Sequence, residues 1–156
     1  MVKRLLLVIG TAAAVFVFGF RTKNPIVLSG LRRLNRKVFN PMQMDDAGTP
    51  GAYASIVRHV GRTSGHRYET PVVAVPADDG FVIALPYADQ ADWSKNVLAS
   101  RRATIVHEGE TIDLTEAETV TMDAVEHYFP EGDRRSHRLL GIDKALRLRG
   151  VAAGTI

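Results

Sequence analysis

The sequence predicts a mainly β protein of mixed α and β structure: a small barrel of antiparallel strands with helices packed outside it. Two observations favour this fold class. Strand-like runs follow one another at short spacing with tight turns between them, and one helical segment interrupts the series. With 156 residues, the chain is long enough for one domain with a buried core.

Five strands and three helices are predicted in the body of the chain. The predicted strands are Tyr53–Val60, Tyr68–Val75, Phe81–Pro86, Ala103–His107 and Thr111–Val120. The turns between neighbouring strands are the loop after Gly61, Asp78-Asp79-Gly80 and Glu108-Gly109-Glu110. A helix is predicted over Ala91–Ser100, and weaker helical patterns cover Asp123–Phe129 and Arg134–Leu148.

The N-terminal region combines an uncharged apolar run with basic flanks. Leu5–Phe20 would span about 24 Å as a helix, and snorkelling of Lys3, Arg4 and Arg21 would extend it towards the roughly 30 Å of a bilayer core. A membrane anchor over residues 1–23 is the preferred interpretation. The excess of basic residues after the run then places the body on the cytoplasmic side of the cell membrane. A cleaved secretory signal and a buried core helix are the alternatives.

Residues 24–52 are predicted to connect this anchor to the barrel domain, residues 53–150. An amphipathic helix begins at Asn24-Pro25 and runs to about Asn40, and Met42–Ala52 forms a linker. The apolar stripe of that helix comprises Ile26, Leu31, Leu34 and Val38. Such a helix could lie on the membrane surface or cap the barrel.

Charge and composition exclude several classes of function. Residues 1–40 carry eight basic and no acidic side chains, whereas the other 116 residues carry 12 basic and 17 acidic ones, so +8 and −5 give the net +3. This distribution favours an anionic membrane surface over nucleic acid as a partner. The chain has no cysteine, and its five histidines lack metal-binding spacing, so no metal site is predicted.

The segment Gly61–Pro71 is the strongest candidate for a binding site. Two glycines, Gly61 and Gly65, bracket Arg62, Thr63 and Ser64, and such a turn can direct backbone N–H groups, hydroxyls and a guanidinium at one anion. The alternative is a hairpin turn with solvated arginines.

The helix after residue 90 carries a second candidate group. Trp93, Asn96 and Val97 share one helical face. A lone tryptophan is more often part of a core than of a site. A buried Asn96 would need hydrogen-bond partners, so it could tie the helix to the barrel or contact a ligand.

Taken in order, these motifs resemble the deazaflavin-dependent nitroreductase family. The resemblance spans about residues 53–120 and rests on four elements: Gly-Arg-x-Ser/Thr-Gly, Thr-Pro, Asp-Gly and Asp-Trp-x-x-Asn. Members of that family are split β-barrels similar to flavin-reductase barrels and use the reduced 8-hydroxy-5-deazaflavin coenzyme F420. The resemblance therefore implies a split β-barrel and this coenzyme here.

The resemblance also assigns roles to individual residues. It implies that Gly61, Arg62, Thr63, Ser64 and Gly65 hold the coenzyme phosphate. Thr70 and Pro71 would lie against the ring, and Tyr87, Trp93 and Asn96 would line the ring or substrate end. Arg67 would contact the polyglutamate tail, unless it forms a salt bridge with Glu69 instead.

The implied activity is hydride transfer to a lipophilic electron-poor acceptor such as a quinone, an activated alkene or a nitro compound. Tyr87 or water would supply the proton. Pro86-Tyr87 and the absence of a C-terminal tyrosine cluster depart from the best-known pattern, so coenzyme binding is better supported than nitro reduction. An FMN-dependent barrel oxidoreductase and a non-catalytic membrane-associated binder of lipid or fatty acid are the alternatives. Barrels of this type often pair as homodimers.

Overall fold

Eight short strands form two antiparallel four-stranded sheets, in the orders β2-β1-β5-β6 and β3-β4-β8-β7. The computed structural model describes residues 13–87 and 90–150. The strands are β1 Ser55–Val60, β2 Arg67–Val72, β3 Ala74–Ala77, β4 Gly80–Ala84, β5 Ala103–His107, β6 Glu110–Leu114, β7 Glu116–Thr121 and β8 Lys144–Arg149.

Six helices accompany the sheets in the described part of the chain. They are α1 (described over residues 13–21), α2 Pro25–Leu34, α3 Asn40–Met44, α4 Asp92–Ser100, α5 Met122–Val125 and α6 Glu131–Leu140. A π-helical stretch, Asn35–Phe39, joins α2 to α3, and a 3₁₀ turn, Glu126–Tyr128, follows α5.

Two strands bend and pass from one sheet to the other. β2 and β3 are separated only by Val73, and β6 and β7 only by Thr115, whose N–H donates to the carbonyl of Arg149 (2.9 Å). The predicted single strands Tyr68–Val75 and Thr111–Val120 are therefore each two strands meeting at a corner. Strands that bend and pass from one sheet to the other form the corners of two-layer β structures.

The main core lies between the two sheets. It combines inward-facing residues of both, including Val57, Ile105, Ile83, Leu146 and Leu148. A second apolar cluster covers the outer face of the second sheet, where Met122, Val125 and Phe129 pack on Val82 and Ala145. The predicted α+β class is confirmed. In the described residues the two sheets do not close into a hydrogen-bonded barrel.

The predicted helix Arg134–Leu148 is wrong in its second half. Helix α6 ends at Leu140 because Gly141 adopts a left-handed conformation (φ +67°), and Lys144–Arg149 forms β8. Its lysine, alanine, leucine and arginine residues favour helix in isolation, but β8 lies between β4 and β7 and is stabilised by ladders on both sides.

Helix α2 begins where the sequence predicts. The Asn24 side chain caps it by accepting from the N–H of Ile26 (3.0 Å), and Pro25 occupies its first turn. The predicted stripe does not form its packed face. Leu28 is the buried residue, whereas Ile26, Leu34 and Val38 are 80%, 45% and 42% exposed.

Part of the predicted anchor, residues 1–12, lies outside the described residues. Among the helices that are described, none combines the length and the apolar character needed to cross a bilayer. The junction between α1 and α2 is held against the end of α6. The Arg21 guanidinium donates to the carbonyls of Arg138 (2.7 Å) and Leu139 (2.9 Å), and Lys23 pairs with Asp143 (2.6 Å).

Candidate functional site

Buried polar side chains concentrate where helix α4 packs on strand β1. Among the described residues, the buried polar or charged ones are Ser55, His59, Ser94 and Asn96, two on β1 and two on α4. Ser55, Val57 and His59 alternate with outward-facing residues, so the strand period itself turns His59 towards the helix. Burying polar groups costs free energy unless they are hydrogen-bonded. Ser55 bonds His107 of β5 (2.8 Å) and Ser94 donates to the Ala91 carbonyl of its own helix (3.0 Å), whereas His59 and Asn96 bond each other across the junction.

The turn between β1 and β2 brings the glycine-bracketed motif to the end of this junction. The Gly61 N–H donates to the carbonyl of His66 (2.8 Å), and the Gly65 N–H donates to the carbonyl of Gly61 (2.9 Å). Gly65 has φ +68°, a conformation that glycine adopts without steric cost. A β-carbon at Gly61 would lie 2.3 Å from the Ser64 hydroxyl oxygen, so the Ser64 side chain would have to move to admit one.

Arg62 links this turn to helix α4. Its backbone N–H and its Nη1 both donate to the Asn96 Oδ1, at 3.1 and 2.8 Å. Its Nη2 lies 3.3 Å from a carboxylate oxygen of Asp92. The Gly-Arg-x-Ser/Thr-Gly and Asp-Trp-x-x-Asn motifs, 30 residues apart in sequence, are thus one hydrogen-bonded unit. Asp92 contributes an ion pair and is not the helix cap; the N-cap position is Ala91.

Asn96 continues the network inward to His59 and Thr70. Its Nδ2 lies 3.2 Å from the His59 Nδ1, and the His59 Nε2 lies 3.2 Å from the Thr70 Oγ1. Because the Asn96 Oδ1 accepts from Arg62, its Nδ2 must donate, and the His59 Nδ1 must accept. The proton of neutral His59 therefore resides on Nε2. Burial lowers the pKa of His59, which favours this neutral form.

Tyr68 forms the outer wall of the turn. Its ring stacks on His59 with a centroid distance of 5.7 Å, and its hydroxyl lies 3.2 Å from the Ser64 Oγ. The Ser64 Oγ also accepts from the His66 N–H (3.3 Å). The Tyr68 side chain therefore connects the tip of the turn to the buried histidine.

The donors left open on the turn fit an anion. Among the described residues, no protein acceptor takes the N–H of Thr63 or of Ser64, and both residues are exposed. The Arg62 side chain is 35% exposed. Two free N–H groups, a hydroxyl and a partly exposed guanidinium form a donor set of the kind that holds a phosphate.

Four of the predicted residues, Thr70, Pro71, Trp93 and Asn96, lie in this network or beside it. Thr70 contacts His59, and Pro71 is buried in β2 opposite Ile56. Trp93 is partly buried and packs against the core between the sheets, as a structural tryptophan would. Asn96 is 6% exposed and ties the helix to the turn.

Tyr87 and Arg67 are not brought into the network. In the described part of the chain, no hydrogen bond or ion pair joins either of them to Arg62, Asn96 or Thr70. Tyr87 is half-buried near Arg32; burial raises the pKa of Tyr87, and the Arg32 charge opposes that rise. Glu69, the alternative partner proposed for Arg67, pairs with Arg58 (2.8 Å).

Sequence reasoning missed His59 and Tyr68. A lone histidine has no motif, and Tyr68 falls between the glycine turn and the Thr-Pro pair. The alternation Ser55-Ile56-Val57-Arg58-His59 is the signal that could have found His59, because it places this histidine on the inward face. Across the described residues, no group of three histidine, aspartate or glutamate side chains is arranged to hold a metal ion.

Comparison with known proteins gives information about the fold alone. No protein-family model matches the chain, and no curated protein matches it. Solved structures similar to it include the protein Atu2129, of unknown function, from Agrobacterium tumefaciens (18% identity, TM-score 0.45). That match covers 64% of this chain but only 49% of the Agrobacterium chain.

Two further solved structures are similar. One is HutZ, the heme storage protein from Vibrio cholerae, with 14% identity, 65% of this chain and 83% of HutZ covered, and a TM-score of 0.46. The other is described as a domain-swapped dimer, with 11% identity, 78% and 98% coverage, and a TM-score of 0.51. The last similarity supports a split-barrel fold, which is coarser than the deazaflavin-dependent family.

Proposed function

We propose that the protein is an oxidoreductase that uses reduced coenzyme F420 to reduce a lipophilic electron-poor acceptor. One observation carries the proposal. The two motifs that resemble the deazaflavin-dependent family meet in a single network, in which Arg62 is held by Asn96 and Asp92 beside open N–H donors. A simple hairpin turn would not need a buried asparagine from a distant helix to fix its arginine.

The residues of the turn would hold the coenzyme phosphate. The N–H groups of Thr63 and Ser64 and the Thr63 hydroxyl supply neutral donors, and Arg62 supplies the charge. Asn96 and Asp92 restrict the Arg62 side chain before any ligand arrives, which lowers the entropy lost on binding. Thr70, whose Oγ1 accepts from His59, retains its own O–H for a ligand acceptor.

The protein needs no nucleophile for this chemistry. When bound, the reduced deazaflavin supplies a hydride from C5, and the protein contributes orientation and exclusion of water. Tyr87 is the proposed source of the proton that the acceptor needs, with water as the alternative. Burial raises the Tyr87 pKa, so its hydroxyl remains protonated at neutral pH and can polarise an acceptor oxygen.

The acceptor class is inferred from the apolar surface near the turn. Val60 and Tyr68 are 46% and 45% exposed, although both are large and apolar or aromatic. A quinone, an activated alkene or a nitro compound would match such a surface. We propose further that the N-terminal segment attaches the protein to the cytoplasmic side of the cell membrane, where lipophilic acceptors are dissolved.

A homodimer is part of the proposal. A similar solved structure is described as a domain-swapped dimer, and it covers 78% of this chain. Size-exclusion chromatography with light scattering would measure the mass directly.

The phosphate assignment is tested by replacing Arg62 and Ser64 together with alanine. Loss of charge-assisted hydrogen bonds should weaken coenzyme binding by about 3 kcal/mol, or roughly 100-fold, in a fluorescence titration. Arg58→Ala is the matched control, because Arg58 lies on the same hairpin and pairs with Glu69. Unchanged affinity in a folded double variant would disprove the assignment.

FMN is the second candidate coenzyme, because the family that the sequence resembles has barrels similar to those of flavin reductases. Titration of the native protein with each coenzyme, followed in the visible spectrum, separates the two. Saturable binding of FMN alone would replace the deazaflavin in the proposal.

A further inference from the structure

The hydrogen-bond network around His59 fixes which of its side chains donate and which accept. Its order is Thr70, His59, Asn96 and Arg62, with each neighbouring pair joined at 2.8–3.2 Å. His59 and Asn96 are 7% and 6% exposed, so water cannot readily replace either partner. The donor and acceptor roles are therefore fixed along the whole series.

The direction of donation is set at the Arg62 end. Arginine can only donate, and two of its N–H groups converge on the Asn96 Oδ1. The Asn96 amide is thus held with Nδ2 towards His59. The His59 Nδ1 has to accept, and the ring can carry its hydrogen only on Nε2, where Thr70 accepts it.

A proton on the His59 Nδ1 would break this arrangement. It would place an N–H opposite the Asn96 NH₂, so that two donors would face each other in a buried site. The amide could then turn its Oδ1 to His59, but this would direct its NH₂ at the Arg62 donors. The first outcome pushes Asn96 away from the ring, and the second turns its acceptor away from Arg62. Both weaken the contacts of Asn96 with the Arg62 backbone N–H and Nη1, and leave the Arg62 side chain paired with Asp92.

We infer that His59 is a positioning residue: in its neutral Nε2–H form it orients Asn96 to fix Arg62, and its protonation loosens the attachment of the Gly61–Gly65 turn to helix α4. This inference deepens the proposed function by adding regulation of the same site. Coenzyme affinity then falls at acid pH through loss of the prearranged turn.

The groups around His59 support a neutral ring. Tyr68 stacks on it from β2, Thr70 accepts from it, and α4 presents Asn96. The nearest charges are Arg62, beyond Asn96, and Asp92, beyond Arg62. On the outward face of the hairpin, the opposite charges of Arg58 and Glu69 pair with each other. No carboxylate touches the ring among the described residues, and burial lowers the His59 pKa.

The first test uses the full chain without coenzyme. Nitrogen-15 NMR of the histidine ring should show His59 as the Nε2–H tautomer, with a pKa below the ordinary 6.5. The Arg62 amide should exchange slowly at neutral pH and lose protection as His59 titrates. An Nδ1–H tautomer, or Arg62 protection that ignores the His59 titration, would overturn the inference.

Asn96→Asp provides the reverse change in charge. The carboxylate still accepts from Arg62, and it can also accept from the Nδ1–H of protonated His59, so it should raise the His59 pKa above that of the wild type. An unchanged or lowered pKa in the folded variant would count against the network.

The second test measures binding. Wild-type affinity for the coenzyme should fall about tenfold per pH unit below the His59 pKa, because only the neutral form holds the turn. His59→Gln can accept from Asn96 and donate to Thr70 without titrating, so it should remove this dependence. His127→Gln, at an exposed histidine, should retain it. The coenzyme's own titration affects binding to all three proteins equally, so differences between their pH profiles come from the proteins.

Failure of the two proposals is distinguishable. If the wild type binds no coenzyme at any pH, the proposed function fails, and the NMR measurements still decide the role of His59. If coenzyme binds and the wild type and His59→Gln share one pH profile, the proposed function survives and the switch is refuted.

Discussion

Two regions of the molecule use opposite means to join a helix to a sheet. Where α4 packs on β1, the buried polar residues His59 and Asn96 belong to a continuous hydrogen-bond network that reaches Arg62. Where α5 and the turn after it cover the second sheet, the buried residues are apolar, Met122, Val125 and Phe129. The second region keeps its charges outside, as in the Lys23–Asp143 pair, whose side chains are 44% and 59% exposed.

The difference separates stability from specificity. An apolar cluster stabilises the fold in proportion to buried area and tolerates small shifts. A buried polar network contributes less net free energy but accepts only one arrangement of donors and acceptors. We expect substitutions in the second region to affect mainly folding, and substitutions at the α4–β1 junction to affect mainly binding.

The largest effect is expected in the apolar region. Phe129→Ala removes a 3% exposed ring and should lower the free energy of unfolding by about 4 kcal/mol, measured by urea denaturation. Leu139→Ala, at a residue that is 59% exposed, is the control and should change it little. Coenzyme affinity of folded Phe129→Ala should equal that of the wild type; a large loss would mean that the two regions are coupled.

A pair of glycine substitutions compares the regions directly. A β-carbon at Gly80 would lie 2.1 Å from the backbone oxygen of Leu148, so Gly80→Ala should cost about 3 kcal/mol of stability. At Gly61 the β-carbon meets side-chain atoms of Ser64 and Tyr68, which can move, so Gly61→Ala should cost less and weaken binding more. Thermal melts and coenzyme titrations of both variants, with Gly132→Ala as control, measure this contrast. Equal stability losses would contradict it.

At the polar junction, Asn96→Ala should cost about 2 kcal/mol of stability, because it leaves the His59 Nδ1 and the Arg62 N–H without partners. It should also weaken coenzyme binding at neutral pH. Ser94→Ala is the matched control: Ser94 is equally buried on α4, but it donates only to its own helix, to the Ala91 carbonyl. Similar binding losses in both variants would indicate general damage to the helix.

The smallest effect is a pH dependence shared by both regions. Burial lowers the pKa of His59 and of His137, so from about pH 6.5 downward the unfolded chain binds protons that the folded chain does not. Stability should therefore fall on acidification, by less than about 1 kcal/mol for each of these partly screened histidines. His59→Gln and His137→Gln should each flatten the stability profile, but only His59→Gln should alter the pH dependence of binding.

The sequence singled out the segments that meet in the candidate site, but not the contacts between them. The segments that meet were identified by the order of their motifs: the glycine turn, then Thr70, then Trp93 and Asn96. The order and spacing of such motifs can be read from the sequence alone. That Arg62 is held by Asn96 and Asp92 could not be predicted, since the contacts join positions 30 and 34 residues apart and depend on how α4 lies on β1. The placement of Tyr87 away from this network has the same cause.

The fold was predictable to the level of elements and not of sheets. Alternating apolar residues marked β1 and β5 well. The bends at Val73 and Thr115 could not be predicted from the sequence, because a strand that changes sheets has the same composition as one that does not. β8 was mistaken for helix because its burial on both faces hides the period of two: Ala145, Leu146 and Leu148 are all buried.

Because each corner is a single residue, the strand register of one sheet fixes the strand register of the other. Since β2 runs into β3 across Val73 and β6 runs into β7 across Thr115, a slip of one residue in the first sheet would turn inward-facing side chains of the second sheet outward. Neither sheet can adopt a wrong alignment alone. The turn that carries Arg62, at the edge of the first sheet, is therefore aligned by the core of both.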